Sequence, residues 1–313
     1  MGETLAAKHR LVTRSDFDGL ACAMMLKELG LIDEIKFVHP KDVQDGIVEL
    51  TGNDITTNLP YDPRVGIAFD HHESEMDRLK ATQTNGKLII DPKARSAARV
   101  VYDYYGGKAA FPRISEDLMQ AVDKGDSADF TVDEILNPTG WVLLHYLMDA
   151  RTGLGRFHDF RISNYALMMK LIDFCLDHDI DEILELPDVK ERVNLYFEQA
   201  ELFKAQLKRI ARVHGKVVVL DLRNEEVIYA GNRFMIYALY PETEVSIHVA
   251  WGFKKQNTAV MIGKSIINKA SQADIGDLCL KYGGGGHHNA GTCQLSNDTV
   301  DEQLPEIIAA LNA

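Results

Sequence analysis

The sequence predicts an α/β chain in two parts, a larger parallel-sheet domain followed by a smaller α/β domain. Three observations predict it. Over the first half, short apolar runs that end in polar residues alternate with segments of helical period. One run, Gly66-Ile67-Ala68-Phe69-Asp70-His71-His72-Glu73-Ser74-Glu75, passes from a buried-strand pattern directly into an acid and two histidines. After Gly215 the texture changes to a series of strands. At 313 residues the chain also exceeds one ordinary core. The expected division is a first domain over 8–188, a helical connector over 189–214 and a second domain over 215–313.

In order, His9 to Thr13 reads as the first strand, and it runs into Arg14-Ser15-Asp16-Phe17-Asp18-Gly19 and an apolar helix from about Leu20 to Leu29. Asp16 and Asp18 stand two apart at a strand-to-helix turn, so both carboxylates can point into one space. Gly19 permits the tight turn. A helix cap by Asp18 explains one of these acids and leaves the other over. Glu34 to His39 is the second strand, Pro40 to Leu50 a helix, and Asp54 to Thr57 a short strand ending at Asn58. The Asp70-His71-His72 strand follows, then Lys87 to Ile90. In a parallel sheet such strand ends open on the crevice where ligands bind. Carboxylate and neutral imidazole there are the donors a divalent cation takes.

From Ser96 the period is helical (Ala97, Val100, Val101, Tyr104), and Gly106-Gly107 stops it. Leu118 to Val122 opens an apolar segment that reaches Asp123, Asp126 and Asp129, three acids in seven residues. They are placed to close a metal site whose other ligands lie on strand ends. Trp141 to Glu185 is mostly helical, and Val189 to Val213 reads as one long amphipathic helix. Strands are expected at Lys216–Leu220, Glu226–Tyr229, Glu244–Ala250 and Thr258–Ile262, then a short helix between Ala273 and Tyr282. Gly283-Gly284-Gly285-Gly286-His287-His288 follows it. Four glycines cost folding entropy that a mere turn does not require. They suit a backbone nest that cradles an anion. The strand-like Thr292 to Leu295 argues against a disordered linker.

Composition narrows the function. With 46% hydrophobic and 26% charged residues the chain is a soluble globular protein. No apolar run reaches the roughly 18–20 residues of a membrane span, and Met1 to Arg10 lacks the apolar core of a signal peptide. Cys22, Cys175, Cys279 and Cys293 are scattered, as reduced core cysteines of a cytoplasmic protein would be. The net charge of −13 weighs against a protein that coats long nucleic acid, which would need a basic stripe. It leaves room for small phosphorylated substrates or short oligonucleotides, because a bound cation inverts the local field. A homodimer is compatible with the same composition.

Taken together, Arg14–Gly19, Asp70–His72, Asp126 and Gly283–Gly291 resemble the DHH phosphoesterase superfamily, whose members include RecJ-type exonucleases, nanoRNases, cyclic-dinucleotide phosphodiesterases and pyro- and exopolyphosphatases. The resemblance covers nearly the whole chain. It implies a DHH domain and a smaller GGGH-containing substrate domain, with the active site in the cleft between them. It also implies divalent cations, usually Mn²⁺ with Mg²⁺ or Co²⁺ as alternatives, that generate a hydroxide and clamp the phosphorus. Carried over by residue, Asp16, Asp18, His71 and Asp126 match metal ligands. Asp70 would orient them, and His72 would contact the phosphate or assist the leaving group. Lys264, which stands with Ser265 where the family often has Arg-Ser, would hold the far part of the substrate with Gly284, Gly285, Gly286 and His287.

Two departures bear on the metal count. Arg14 stands where the family commonly has a histidine, and Asn58 where a bridging aspartate is usual. Arginine cannot ligate a cation, and an asparagine oxygen is a weak ligand. One ion per chain is therefore favoured over two, with Arg14 holding a phosphate oxygen in the vacant place. The expected activity is metal-dependent hydrolysis of a phosphoester or phosphoanhydride in polyphosphate, a short oligonucleotide, a cyclic dinucleotide or a nucleotide phosphate. The alternative is a nucleotide- or phosphate-binding regulator that keeps the fold with weakened catalysis.

Overall fold

The computed structural model describes residues 8–72 and 87–313, so Glu73-Ser74-Glu75 and the Met1 to Ala7 part of the N-terminal stretch lie outside it. The chain forms two compact units. The first gathers residues up to Asp129, Thr139–Ala150 and Leu154–Asn194, and the second gathers Phe130–Pro138, Arg151–Gly153 and Leu195–Ala313. The units thus interleave more than contiguous boundaries at 188 and 214 would have it.

The first unit is built on strands β1 (His9–Arg14), β2 (Ile32–Val38), β3 (Asp54–Thr57), β4 (Ile67–Asp70) and β5 (Lys87–Ile90). They pair in parallel in the order β2-β1-β3-β4-β5. The order reverses between β1 and β3, and such a reversal is where an open α/β sheet leaves a ligand crevice. Register then decides which residues share that end. Thr13 pairs Thr57, Thr57 pairs Phe69 and Asp70 pairs Ile90. Arg14 therefore ends β1, and Asn58 and His71 follow the neighbouring strands β3 and β4, at one edge. Helix α1 (Phe17–Glu28) is buried from Phe17 to Leu26, so its all-round apolar sequence is a core helix rather than an amphipathic one. The second expected helix is shorter than Pro40 to Leu50: α2 covers Pro40–Gln44. Ser96 caps α3 (Ala97–Tyr105) and Ser115 caps α4 (Glu116–Asp126), each accepting the N–H three residues on.

The long helix, Pro187–Ile210, ends three residues before its expected limit at Val213. Ala211–His214 is a strand that pairs antiparallel with Val217–Asp221. The turn between them holds Gly215 at φ +62°, which suits a two-residue hairpin turn. With Val245–Trp251, Thr258–Lys264, Gly285–His287 and Ala290–Leu295 these strands make the six-stranded mixed sheet of the second unit. No strand forms at Glu226–Tyr229. Two glutamines of the long helix take up that backbone instead: Gln206 Nε2 donates to the Val227 carbonyl at 2.7 Å, and the Tyr229 and Ala230 amides donate to Gln206 and Gln199 at 3.2 Å. Buried backbone groups need partners, and here side chains supply what a neighbouring strand would. Val217, Val245, Ile247, Val260, Cys279 and Ile307 belong to the second unit's core.

All four cysteines are buried and free of disulfides. Among the described residues no helix is long and apolar enough to cross a membrane.

Candidate active site

The turn after β1 supplies the first acids. Asp16 is the N-cap of α1, its Oδ1 accepting the Gly19 amide at 2.9 Å. The capping role is thus held by Asp16 and not by Asp18. Gly19 is required by proximity: a Cβ there would stand 2.0 Å from the Arg14 carbonyl oxygen. Asp18 turns inward, 3% exposed, and accepts the Ala97 and Ala98 amides at 3.1 and 2.7 Å. The first turn of α3 thereby holds the carboxylate, as a helix N-terminus holds an anion. Ser96-Ala97-Ala98 entered the sequence reading only as a helix start and not as part of the site. Its only signal there was a serine followed by two small residues at a helix start.

The second strand end brings the histidines. His71 Nδ1 faces the Ala94 carbonyl at 3.3 Å, which leaves Nε2 to point inward. Nε2 lies 2.8 Å from Asp126 Oδ2, out of line for a hydrogen bond, and it is buried without a hydrogen-bond partner among the described residues. Asp70 Oδ2 is buried without one as well. Asp70 Oδ1 receives His72 Nδ1 at 2.8 Å. Asp126 arrives from the C-terminal end of α4.

Ligand atoms of Asp18, His71 and Asp126 all lie within 4.8 Å of one another, and those of Asp70, His71 and His72 form a second such group sharing His71. Of the four expected metal ligands, three converge and Asp16 stands outside both groups. Its Oδ2 meets Arg14 Nε at 2.9 Å and Asn58 Nδ2 at 3.5 Å. Asn58 adopts φ +54°, a left-handed conformation that asparagine tolerates better than most residues. Arg14 is therefore held against Asp16 through its Nε. Asp123 serves another purpose: it accepts Ser96 Oγ at 2.7 Å and the Arg99 guanidinium at 2.7 and 3.0 Å.

The electrostatics show what charge this cluster suits. Burial, then the nearby charges of Asp126 and Asp16, push the Asp18 carboxyl well above the usual carboxylate range. Burial works against the charged forms of His71 and Asp126 too, but their mutual contact outweighs it, raising the imidazole and lowering the carboxyl. The bond to Asp70 raises His72. Two carboxylates and an imidazole crowded out of water, with an orphaned nitrogen among them, are the donor set of a divalent cation. Positive charge at their centre would relieve the repulsion that raises Asp18.

In the second unit the glycine run is not a loop. Gly283, at φ +75°, follows the helix Ile275–Lys281, and Gly285–His287 is an edge strand paired with Ala290–Thr292. Close packing explains two of the glycines. A Cβ on Gly284 would stand 2.1 Å from the Thr292 carbonyl oxygen, and one on Gly286 2.3 Å from that of Ala290. A Cβ on Gly285 would meet nothing within 4 Å. His287 is exposed. Lys264 Nζ contacts His288 Nε2 at 2.9 Å, and His288 Nδ1 contacts Asp274 Oδ2 at 3.0 Å. This chain of three fixes Lys264 beside the glycine strand, and the sequence offered only a second histidine doublet as its signal.

No protein-family profile matches the chain, and no curated protein matches it. Among solved structures it is similar to a pGpG-specific phosphodiesterase, PggH, from Vibrio cholerae, at 56% identity and a TM-score of 0.85, over 97% of this chain and 99% of that one. It is also similar to RecJ from Thermus thermophilus in complex with Mn²⁺, at 14% identity and a TM-score of 0.49, over 96% of this chain and 51% of that one.

Proposed function

The chain belongs to the DHH phosphoesterase superfamily and is a metal-dependent hydrolase of small phosphorylated substrates, and from that premise we propose that it cleaves the linear dinucleotide pGpG with water to two molecules of GMP. The observation that carries the substrate choice is likeness at 56% identity across almost the full length of a phosphodiesterase named for that dinucleotide. The convergence of Asp18, His71 and Asp126 supports the chemistry.

The donor set fits one divalent cation, with Mn²⁺ the favoured ion. Asp18, His71 and Asp126 would hold it, and once bound it would polarise a phosphoryl oxygen and lower the pKa of a water. The remaining steps belong to side chains. Asp70 holds His72 by Nδ1, so Nε2 is the ring nitrogen left for the substrate. Because that bond raises His72, the ring carries a proton nearer neutral pH and can give it to a phosphate oxygen or the leaving 3′-oxygen. Asp16 anchors the Arg14 guanidinium through Nε, leaving its permanent charge to bind a phosphoryl oxygen. In the second unit, Lys264 and the bare backbone at Gly285 are groups of a kind that binds phosphate. Four buried cysteines outside any disulfide support a reducing compartment such as the cytoplasm.

A substrate panel tests this reading. With Mn²⁺, Mg²⁺ or Co²⁺, pGpG should yield GMP at least about tenfold faster than polyphosphate or cyclic di-GMP react, and chelation should stop it. Preferential release of phosphate from polyphosphate would overturn the dinucleotide assignment.

A further inference from the structure

Asp18 and Asp126 come from different helices, yet their ligand atoms lie, with that of His71, within 4.8 Å of one another. Asp18 is buried, and like charges that close together out of water repel. Packing has to hold them together before a cation arrives. Asp18 sits in the first turn of α1 and Asp126 at the end of α4, so whatever spaces these two helix ends also spaces the ligands.

The helix Gly140–Met148 touches both ends. Trp141 and His145 are four residues apart on it and so share one face. Trp141 stacks on Phe17, with ring centroids 6.0 Å apart and planes 23° from parallel, and His145 meets the same ring edge-on at 6.3 Å. Phe17 stands directly before Asp18 and is 1% exposed. The His145 ring also fills the space beside Gly125, the residue before Asp126. A Cβ on Gly125 would stand 2.5 Å from its Nδ1 and 2.8 Å from its Cε1. Trp141 Nε1 donates to Asp117 Oδ2 at 2.9 Å, in the first turn of α4. Helix α4 is thus held at both ends, by the indole N–H at Asp117 and by the imidazole at Gly125. Glycine is disfavoured inside a helix relative to alanine, and here the neighbouring ring accounts for it.

We propose that Trp141 and His145 are positioning residues for the cation, one helix face that spaces Asp18 from Asp126 so that the metal site is formed before the metal binds. The inference rests on the reading of Asp18, His71 and Asp126 as cation ligands, and it adds what sets their separation. Neither side chain is asked to touch the ion or the substrate. A preformed site binds more tightly because the ion does not have to draw the carboxylates together first.

Calorimetric titration of metal-free protein with Mn²⁺ tests the proposal. Gly125→Ala forces a methyl against the His145 ring and should weaken Mn²⁺ binding by about tenfold or more. Removing the ring should give that methyl room, so in a His145→Ala background the same Gly125→Ala change should cost about threefold or less. Equal affinity in Gly125→Ala and the unaltered protein overturns the proposal, and so does an equal loss in both backgrounds. Trp141→Phe is a gentler variant should the others fold poorly: it keeps an aromatic ring on Phe17 and removes the bond to Asp117. It should weaken Mn²⁺ binding by about threefold or more, and unchanged affinity there overturns the proposal too. Melting temperatures separate positioning from packing. A packing role alone lowers the melting temperature of the metal-free variants and leaves the rise on adding a fixed excess of Mn²⁺ as large as in the unaltered protein, which overturns the proposal; positioning makes that rise smaller. If the unaltered protein takes up no Mn²⁺, the cation reading fails and this proposal with it. Tight binding by the unaltered protein that is indifferent to all these substitutions removes the positioning role alone.

Discussion

His71 Nε2 and Asp126 Oδ2, 2.8 Å apart and out of line, are two atoms that want something between them. His71→Ala should therefore cut Mn²⁺-dependent turnover by about a thousandfold or more, with a melting temperature close to that of the unaltered protein. Asp126→Asn should act likewise. Asp123→Asn should behave differently: it weakens a buried contact to Ser96 and Arg99, so the expected result is a loss of about 1–3 kcal/mol in urea unfolding with metal affinity retained. If Asp123→Asn abolished metal binding and Asp126→Asn did not, the roles of these acids would be reversed. The strand-end residues were legible in the sequence because strand, turn and ligand are contiguous there. The choice between Asp123 and Asp126 was not, since three acids share one helix end and only tertiary contacts, from Ser96, Arg99 and His71, tell them apart. Asp16 shows the same limit. Spacing put it beside Asp18, but the α1 amide and Arg14 claim it.

At the scale of the element, the glycine strand separates packing from function within three residues. Gly286→Ala forces a Cβ to 2.3 Å from the Ala290 carbonyl oxygen, so overpacking should destabilise the second unit by about 1–3 kcal/mol, read as a lower melting temperature. Gly285→Ala has open space around the new methyl, so its stability should stay near that of the unaltered protein while KM for pGpG rises. Normal KM in a stable Gly285→Ala protein would show that the bare backbone there is not reserved for a ligand. The sequence announced that something must come close to this run. It could not show that for Gly284 and Gly286 the close neighbour is the protein's own strand, because β-pairing with residues 290–292 is a tertiary fact. The missing strand at Glu226–Tyr229 has a similar cause: the pattern was right for a strand, but two glutamines on a distant helix took its hydrogen bonds.

For the whole molecule, the parallel sheet and its strand ends followed from alternating period and turn residues, whereas the interleaving of the two units depends on short segments that no local pattern distinguishes. One titration should be visible in global stability. His248, half-buried opposite Leu220 and Met261, is pushed down to about 4 by burial. Its folded-state value lies below its unfolded value, so the unfolded chain takes up the proton first as pH falls. Stability is full above about pH 6.5 and is lost between there and about pH 4. The gap is worth up to about 3 kcal/mol, and partial solvent contact brings the expected loss to about 1–2 kcal/mol. Urea midpoints measured across that window should fall, and His248→Gln should flatten this part of the slope; an equal slope in both proteins would remove His248 from the account. The central proposal is that Asp18, His71 and Asp126 hold one cation on which hydrolysis depends, and that the charge of Arg14 takes the place of a second. Adding Mn²⁺ stepwise to metal-free protein while following GMP release from pGpG tests it most directly. Turnover should climb from nothing to a plateau at about one equivalent per chain. A plateau only at two equivalents, or full turnover without metal, would contradict it.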